Sequence, residues 1–207
     1  MLIMKFKQTD KILLVGRSGC GKSHLGKKLS SVFPRVVIFD SLDEYPKSEH
    51  DIHSFNQFAS YVKQIANEKI RKFRLVIKFD TSLEDCKDIF DHYMHVLYEL
   101  GDVVTVIEEV QDYCTPYFIG RWFKKSMTSG RHRNMGFIFT TQRPSFLNKT
   151  VLSQSTNIFV GNLIDRNDSM TISQLLDSDK KEISSLNDRE FLWFNPTLKP
   201  HTRKIKN

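Results

Sequence analysis

LLVGRSGCGKSHLGKKL, residues 13–29, is the stretch that decides the reading of this chain. An apolar run enters a glycine-rich turn, a lysine and a serine follow, and the residues beyond have helical patterning. Gly16-Arg17-Ser18-Gly19-Cys20-Gly21-Lys22-Ser23 fits G-x-x-x-x-G-K-S/T, and a strand before it with a helix after it is the context a phosphate-binding loop requires. Gly16, Gly19 and Gly21 let the backbone turn tightly enough to aim its N–H groups at phosphate oxygens, and the helix N-terminus adds a favourable dipole. Lys22 is placed to reach β- and γ-phosphates, and the Ser23 hydroxyl to ligate Mg²⁺. The expected ligand is ATP, with its phosphates held by residues 16–24: Gly16, Arg17, Ser18, Gly19, Cys20, Gly21, Lys22, Ser23 and His24.

The fate of the phosphate depends on two further strand ends. VVTVIEEV (103–110) places Glu108 and Glu109 where a buried strand leaves the sheet. The first acid of such a pair orients Mg²⁺, and the second can polarise a water for in-line attack. Adjacent strand residues point opposite ways, which suits two roles. The first acid is more often Asp, and Glu108 is one methylene longer. GFIFTTQRPS (136–145) ends a strand at Gln142, whose amide can sense the γ-phosphate or orient the attacking water.

Outward from these sites, strands alternate with helices along the whole chain. KILLV (11–15), RVVIFD (35–40), FRLVIKF (73–79), VVTVI (103–107), GFIFTT (136–141), NIFVGNL (157–163) and FLWFN (191–195) read as strands. Helices are expected from Lys22 to Phe33, stopped by Pro34, over 54–69, from a capping box at Ser82, over 118–129 up to Gly130, and across most of 167–187. There is no internal repeat, low-complexity tract or linker rich in Pro, Gly or Ser. The pattern implies a single α/β domain over 1–207, a mainly parallel sheet with helices on both faces, with a core at about 10–165 and an extension at 166–207.

The 207 residues are 40% hydrophobic and 27% charged, a globular composition. The apolar runs fall far short of the roughly 20 residues that span a bilayer, and MLIMKFKQTD is too short in its apolar part for a secretory signal. A cytoplasmic protein is expected. Three cysteines, Cys20, Cys86 and Cys114, lack metal-ligand spacing and are expected to be reduced. His92 and His95 form H-x-x-H with no third ligand nearby, so no metal is expected there. Trp122, Trp193 and the 16 phenylalanines read as core. Asp40 and Glu44 follow a strand at the rim of the site, where they could meet the Mg²⁺ or serve a turn. The net charge of +7 concentrates in RWFKKSMTSGRHR (121–133) and KPHTRKIKN (199–207), both free of acids; these stretches are candidate contacts to a polyanion.

Taken together, the phosphate loop, RVVIFDSLDEYP (35–46), the VIEE strand and SGRHRNMGFIFTTQRPSFLNKTVLSQSTNIFVGNL (129–163) resemble the FtsK–HerA superfamily of P-loop ATPases, the DNA-pumping motors. In size and motif order the chain is similar to its minimal members, the genome-packaging ATPases of icosahedral viruses with an internal membrane. The resemblance implies a RecA-like P-loop fold of the additional-strand, catalytic-glutamate class. It implies ATP hydrolysis with Mg²⁺ on Ser23 and Glu108, Glu109 and Lys22 as catalytic groups, and Gln142 as sensor. Arg131 becomes an arginine finger presented to a neighbouring subunit, with Arg133 and Arg143 as competing candidates. The implied partners are DNA, gripped through its backbone without reading sequence, a homo-oligomeric ring (pentamer or hexamer), and a capsid or membrane vertex protein of a virion. Two other classes stay open: a small-molecule kinase, for which no lid segment is evident, and a nucleotide-switched assembly protein of a virus or secretion system. A GTPase is disfavoured, because no N-K-x-D motif is present.

Overall fold

The computed structural model describes residues 6–45, 51–177, 179–196 and 202–206. Its nine described strands form one sheet: β1 (Lys11–Val15), β2 (Arg35–Asp40), β3 (Asp51–Ile52), β4 (Phe73–Lys78), β5 (Val104–Ile107), β6 (Gly136–Thr141), β7 (Asn157–Val160), β8 (Glu190–Phe194) and β9 (Thr202–Lys206). Their order is β3-β4-β2-β5-β6-β1-β7-β8-β9. The pairings from β3 to β7 are parallel, and β8 and β9 are added antiparallel. The helices are α1 (Lys22–Ser30), α2 (Phe55–Asn67), α3 (Cys86–Leu100), α4 (Arg121–Ser129), α5 (Lys149–Gln154), α6 (Arg166–Leu176) and α7 (Lys180–Ser184).

The central strands read as unbroken apolar runs because the sheet is covered on both faces. In β1, Ile12 and Leu14 enter one core with Leu25 and Leu29 of α1. Leu13 and Val15 enter the other, with Phe90, Tyr93 and Met94 of α3 and Phe123 and Met127 of α4. That second core is aromatic: Phe39, Phe79, Phe90 and Tyr113 pack largely edge to face, with Phe90 stacked on Tyr113 at 4.3 Å. Trp193 is core as expected. It lies parallel to Phe159 and donates from Nε1 to Asn157. Trp122 is only half-buried, stacked on His95 at 3.8 Å.

Several boundaries differ from the sequence expectation. Helix α1 ends at Ser30, three residues before Phe33, with Ser31 and Phe33 N–H groups already satisfied by Lys27 and Ser30 carbonyls. The capping box at Ser82 does not form. Asp80 accepts from both the N–H and the hydroxyl of Ser82, a local Asx arrangement that competes with capping, so α3 starts only at Cys86. Residues 118–120 stay outside α4, which begins after Gly120, where Asp91 accepts from the N–H groups of Trp122 and Phe123. The short β3 and the terminal β9 carry no strong local pattern and were not expected. The extension after 165 is built into the main sheet through β8. Of the basic tail, Lys199 lies outside the described residues, whereas Lys204 pairs with Glu190 at 2.9 Å.

One topological fact positions the site. Strand β6 sits between β1 and β5, so the phosphate loop after β1, the two glutamates after β5 and Gln142 after β6 converge at the carboxyl ends of three adjacent strands, where open α/β sheets bind ligands.

Candidate active site

The phosphate loop has the backbone its glycines foretell. Gly19 has φ +76° and Gly21 φ +100°, left-handed values that strain residues with a Cβ. A Cβ on Gly16 would sit 2.6 Å from Cys20 Sγ, which turns inward beneath the loop. The loop is anchored from below by Gly16 N–H to Thr141 O and Arg17 N–H to Asn162 O. Lys22 is buried and folded back, its ammonium donating to the carbonyls of Gly16 (2.9 Å) and Arg17 (3.1 Å).

Helix α1 has no side-chain cap, a lack shared by α3, while α4, which also starts after a glycine, is served by Asp91 instead. Helices α2, α5, α6 and α7 are capped by the side chains of Ser54, Asn148, Asp165 and Asp179. The N-cap of α1 is Gly21, with no side-chain cap and no acid in the first turn. Its positive end is left open toward a cleft of about 220 Å³ lined by Ser18, Gly19, Gly21, Lys22, Ser23, His24, Leu42, Glu44, Glu109 and Gln142. An uncapped helix N-terminus beneath a glycine-rich loop is an anion site. Of the expected phosphate contacts, Arg17 and Cys20 have other partners: the Arg17 N–H donates to Asn162 O at 2.7 Å and the Cys20 N–H to Arg17 O at 3.4 Å. The Arg17 guanidinium pairs with Asp188 at 2.6 Å, and the Cys20 thiol is buried, which pushes its pKa up and makes it inert.

The two glutamates are separated by a hydroxyl. Thr140 Oγ1 donates to Glu108 Oε2 (2.5 Å) and accepts from the Glu109 N–H (3.0 Å). Tyr45 donates its hydroxyl to Glu108 Oε1 at 3.1 Å. Burial raises the Glu108 pKa, partly offset by these two hydrogen bonds and reinforced by nearby Glu109 and Glu44. The simple alternation argument for the pair does not hold. Strand β5 ends at Ile107, and Glu109 adopts a left-handed conformation with φ 45° and ψ 59°, a strained state for a non-glycine residue that costs about 1–3 kcal/mol and clusters at functional sites. That turn, not strand pleat, aims Glu109 into the cleft while Glu108 stays in the layer behind it.

Glu109 is held by three donors: Gln142 Nε2 at 2.8 Å, Gln142 N–H at 3.2 Å and Gln111 Nε2 at 2.8 Å. Gln111 is itself fixed by Thr141 Oγ1 at 2.7 Å. Asp40 serves the turn: it accepts from the Glu44 and Tyr45 N–H groups and pairs with Lys78 at 2.8 Å. Sequence reasoning missed Gln111 and the Asp188 clasp, which are brought in by tertiary contact alone.

The donor set suits Mg²⁺. The Ser23 hydroxyl makes no hydrogen bond among the described residues, and Glu108 is a desolvated carboxylate with two further acids near it. Among the described residues no three His, Cys, Asp or Glu form a ligand set of their own. Mg²⁺ takes one or two protein ligands and completes its shell with water and phosphate oxygens.

The three arginine candidates separate clearly. Arg133 is used structurally, donating to the Tyr98 and Glu99 carbonyls at the end of α3. Arg143 pairs with the buried Asp168 at 2.9 Å. Arg131 is exposed and precedes β6, so roughly 17 Å of strand separates it from Gln142 at the other end. It cannot reach the cleft of its own chain. His92 bonds the Asp88 carbonyl and His95 stacks on Trp122, so the H-x-x-H pair holds its own helix and neighbour.

Fold and phosphate loop together define a P-loop NTPase. No family model matches the chain, and no curated protein does. Solved structures do. The genome packaging NTPase B204 from Sulfolobus turreted icosahedral virus 2, in complex with ATP-gammaS, superimposes with TM-score 0.77 at 20% identity, over 97% of this chain and 98% of that one. B204 from Sulfolobus turreted icosahedral virus, described as a DNA-packaging ATPase, gives TM-score 0.70 at 17% identity, over 97% and 98%. VirB4 of Thermoanaerobacter pseudethanolicus gives 0.61 at 11%, over 98% and 91%. At such identities the likeness is one of fold, and it agrees with the resemblance drawn from the motifs. Among the described residues no helix is long and apolar enough to cross a membrane.

Proposed function

We propose that this chain is an ATP-hydrolysing motor that translocates DNA, acting as the packaging ATPase that fills a preformed viral capsid. The observation that carries the reading is Glu109. It is a strained, cleft-facing carboxylate bound to the Gln142 amide, beside an uncapped phosphate loop. That is the equipment for activating water rather than for binding a second metabolite. The fold shared with B204, solved with ATP-gammaS, supports the same reading.

In this reading Lys22 leaves the Gly16 and Arg17 carbonyls for the β- and γ-phosphate oxygens. Glu109 accepts a proton from water as its oxygen bonds the γ-phosphorus and the bond to the ADP oxygen breaks. Gln142 reports on the γ-phosphate through the amide that now holds Glu109. Mg²⁺, held by Ser23 and supported by Glu108, would neutralise charge on the phosphate oxygens. Arg131 acts on the nucleotide of a neighbour, which requires a ring of subunits, a pentamer or hexamer. DNA is gripped through its phosphates without reading bases; Arg121, Lys124 and Lys125 of α4 are the candidate contacts, with Lys125 lying 4.4 Å from the rings of both Tyr98 and Trp122. A capsid or membrane vertex protein is the docking partner.

The test is steady-state ATPase activity without DNA, with single-stranded DNA and with duplex DNA, using Glu109→Gln as blank. Stimulation by DNA that declines with added salt is expected. Equal rates under all three conditions overturn the translocase reading, and phosphate transfer to a small metabolite replaces it with a kinase.

A further inference from the structure

Glu109 is served unevenly by its three donors. Its Oε2 atom receives two, Gln111 Nε2 at 2.8 Å and the Gln142 N–H at 3.2 Å. Its Oε1 atom receives one, Gln142 Nε2 at 2.8 Å. An ionised carboxylate offers about four lone-pair sites, two on each oxygen. Oε2 is therefore full, and Oε1 keeps a site open, so the water whose proton Glu109 takes must approach Oε1.

Gln111 makes the shorter of the two bonds to Oε2, and a directed chain fixes its own orientation. The Arg143 N–H can only donate, and Thr141 Oγ1 accepts it at 3.0 Å. That leaves the Thr141 hydroxyl proton for Gln111 Oε1, 2.7 Å away. With its carbonyl oxygen so engaged, the Gln111 amide must turn its NH₂ group to Glu109. Gln111 also stands in the short 3₁₀ turn, Val110–Asp112, that directly follows the left-handed Glu109. Its side chain ties this turn to β6 through Thr141, whose carbonyl also accepts from the Gly16 N–H of the phosphate loop. Strained backbone persists only where its surroundings over-determine it, and this chain is such a restraint.

We propose that Gln111 is a positioning residue for hydrolysis: by occupying Oε2 and holding the left-handed turn, it presents the open site of Glu109 Oε1 to the attacking water. The role rests on Glu109 being the base, as given above. Gln111 is not among the described residues that line the cleft, so it acts through Glu109. Once the Gln142 amide turns to the γ-phosphate, Gln111 is the side chain that still holds the carboxylate.

The test is the steady-state ATPase rate of the full chain, with kcat and KM resolved. Gln111→Met keeps the length of the side chain and removes its amide. It should lower kcat about tenfold to a hundredfold at unchanged KM, the loss of one hydrogen bond to a charged group. Thr141→Val breaks the same chain, so the double variant should be little slower than Gln111→Met alone, whereas independent effects would multiply. Thr141→Ser keeps the hydroxyl and should restore the native rate. A contact that only staples the turn predicts an unchanged kcat, or a fall in kcat matched by a rise in KM, and either result overturns the role. A kcat above that of the native chain also overturns it, as do effects of Gln111→Met and Thr141→Val that multiply. Glu109→Gln keeps the two readings apart. If it turns over at a near-native rate, the base assignment falls; if it is inert while Gln111→Met is fully active, only the positioning role falls.

Discussion

The two ends of the sheet are built on opposite electrostatic plans. At the carboxyl ends, the catalytic candidates are carboxylates supplied with donors: Glu109 receives three, Glu108 two. At the amino ends, Lys11 and Arg131 are neighbouring cations lining one open cleft, with Arg131 exposed to solvent. A well-satisfied group holds its position before a ligand arrives, whereas an unsatisfied one gains its partner on binding. The first end is therefore preorganised for chemistry. The second presents positive charge to solvent.

The largest expected effect would break this comparison outright. Arg131→Ala should leave nucleotide binding intact and lower assembly-dependent turnover by about 10³–10⁵, the range for an arginine acting in trans. Full activity in the assembled state would mean that the amino-end cations have no part in hydrolysis. Next comes Glu109→Gln, which should retain ATP binding and lower kcat by about 10²–10⁴, the usual range for a general base; single-turnover rates near those of the native chain would remove it from that role.

Two milder substitutions sharpen the contrast by testing the preorganised end. Thr140→Val deletes the hydroxyl that joins Glu108 to the Glu109 N–H and leaves two buried groups unsatisfied, an expected loss of about 1–3 kcal/mol. For a chain of this size each kcal/mol lowers the melting temperature by roughly 2–4 °C, readable by thermal denaturation. Tyr45→Phe removes a hydrogen bond that favours ionised Glu108. Its pKa, already raised by burial, should rise further, so the acid limb of the kcat/KM profile should move to higher pH. A limb moved to lower pH would contradict the arrangement. The smallest effect is expected from Asp188→Ala, since its pair with Arg17 is solvent-exposed on both sides, 39% and 59%. The cost to stability should stay within about 1 kcal/mol by denaturant titration.

The legible parts of the site share a feature. The phosphate loop needs glycines at fixed spacing because they take left-handed φ without the strain a Cβ brings, as Gly19 and Gly21 do. Glu108, Glu109 and Gln142 stand at the ends of buried strands, and buried strands announce themselves as apolar runs. The unread parts lack any such local constraint. Gln111 is an ordinary loop residue until Thr141 turns its amide toward Glu109. Asp188 clasps Arg17 across 171 positions, and Tyr45 reaches Glu108 across 63. The capping box expected at Ser82 failed because Asp80, two residues away, offered a closer acceptor, a competition that pattern does not weigh.

Local chemistry, then, was enough to establish a phosphate loop, a pair of strand-end glutamates and an alternating α/β architecture, since each follows from backbone sterics and from apolar periodicity within a few residues. Which arginines are committed to structure and which way Glu109 faces were settled only by tertiary structure. Those properties depend on what lies beside a side chain in space, and a parallel sheet brings together strands whose neighbours in space are far apart along the chain.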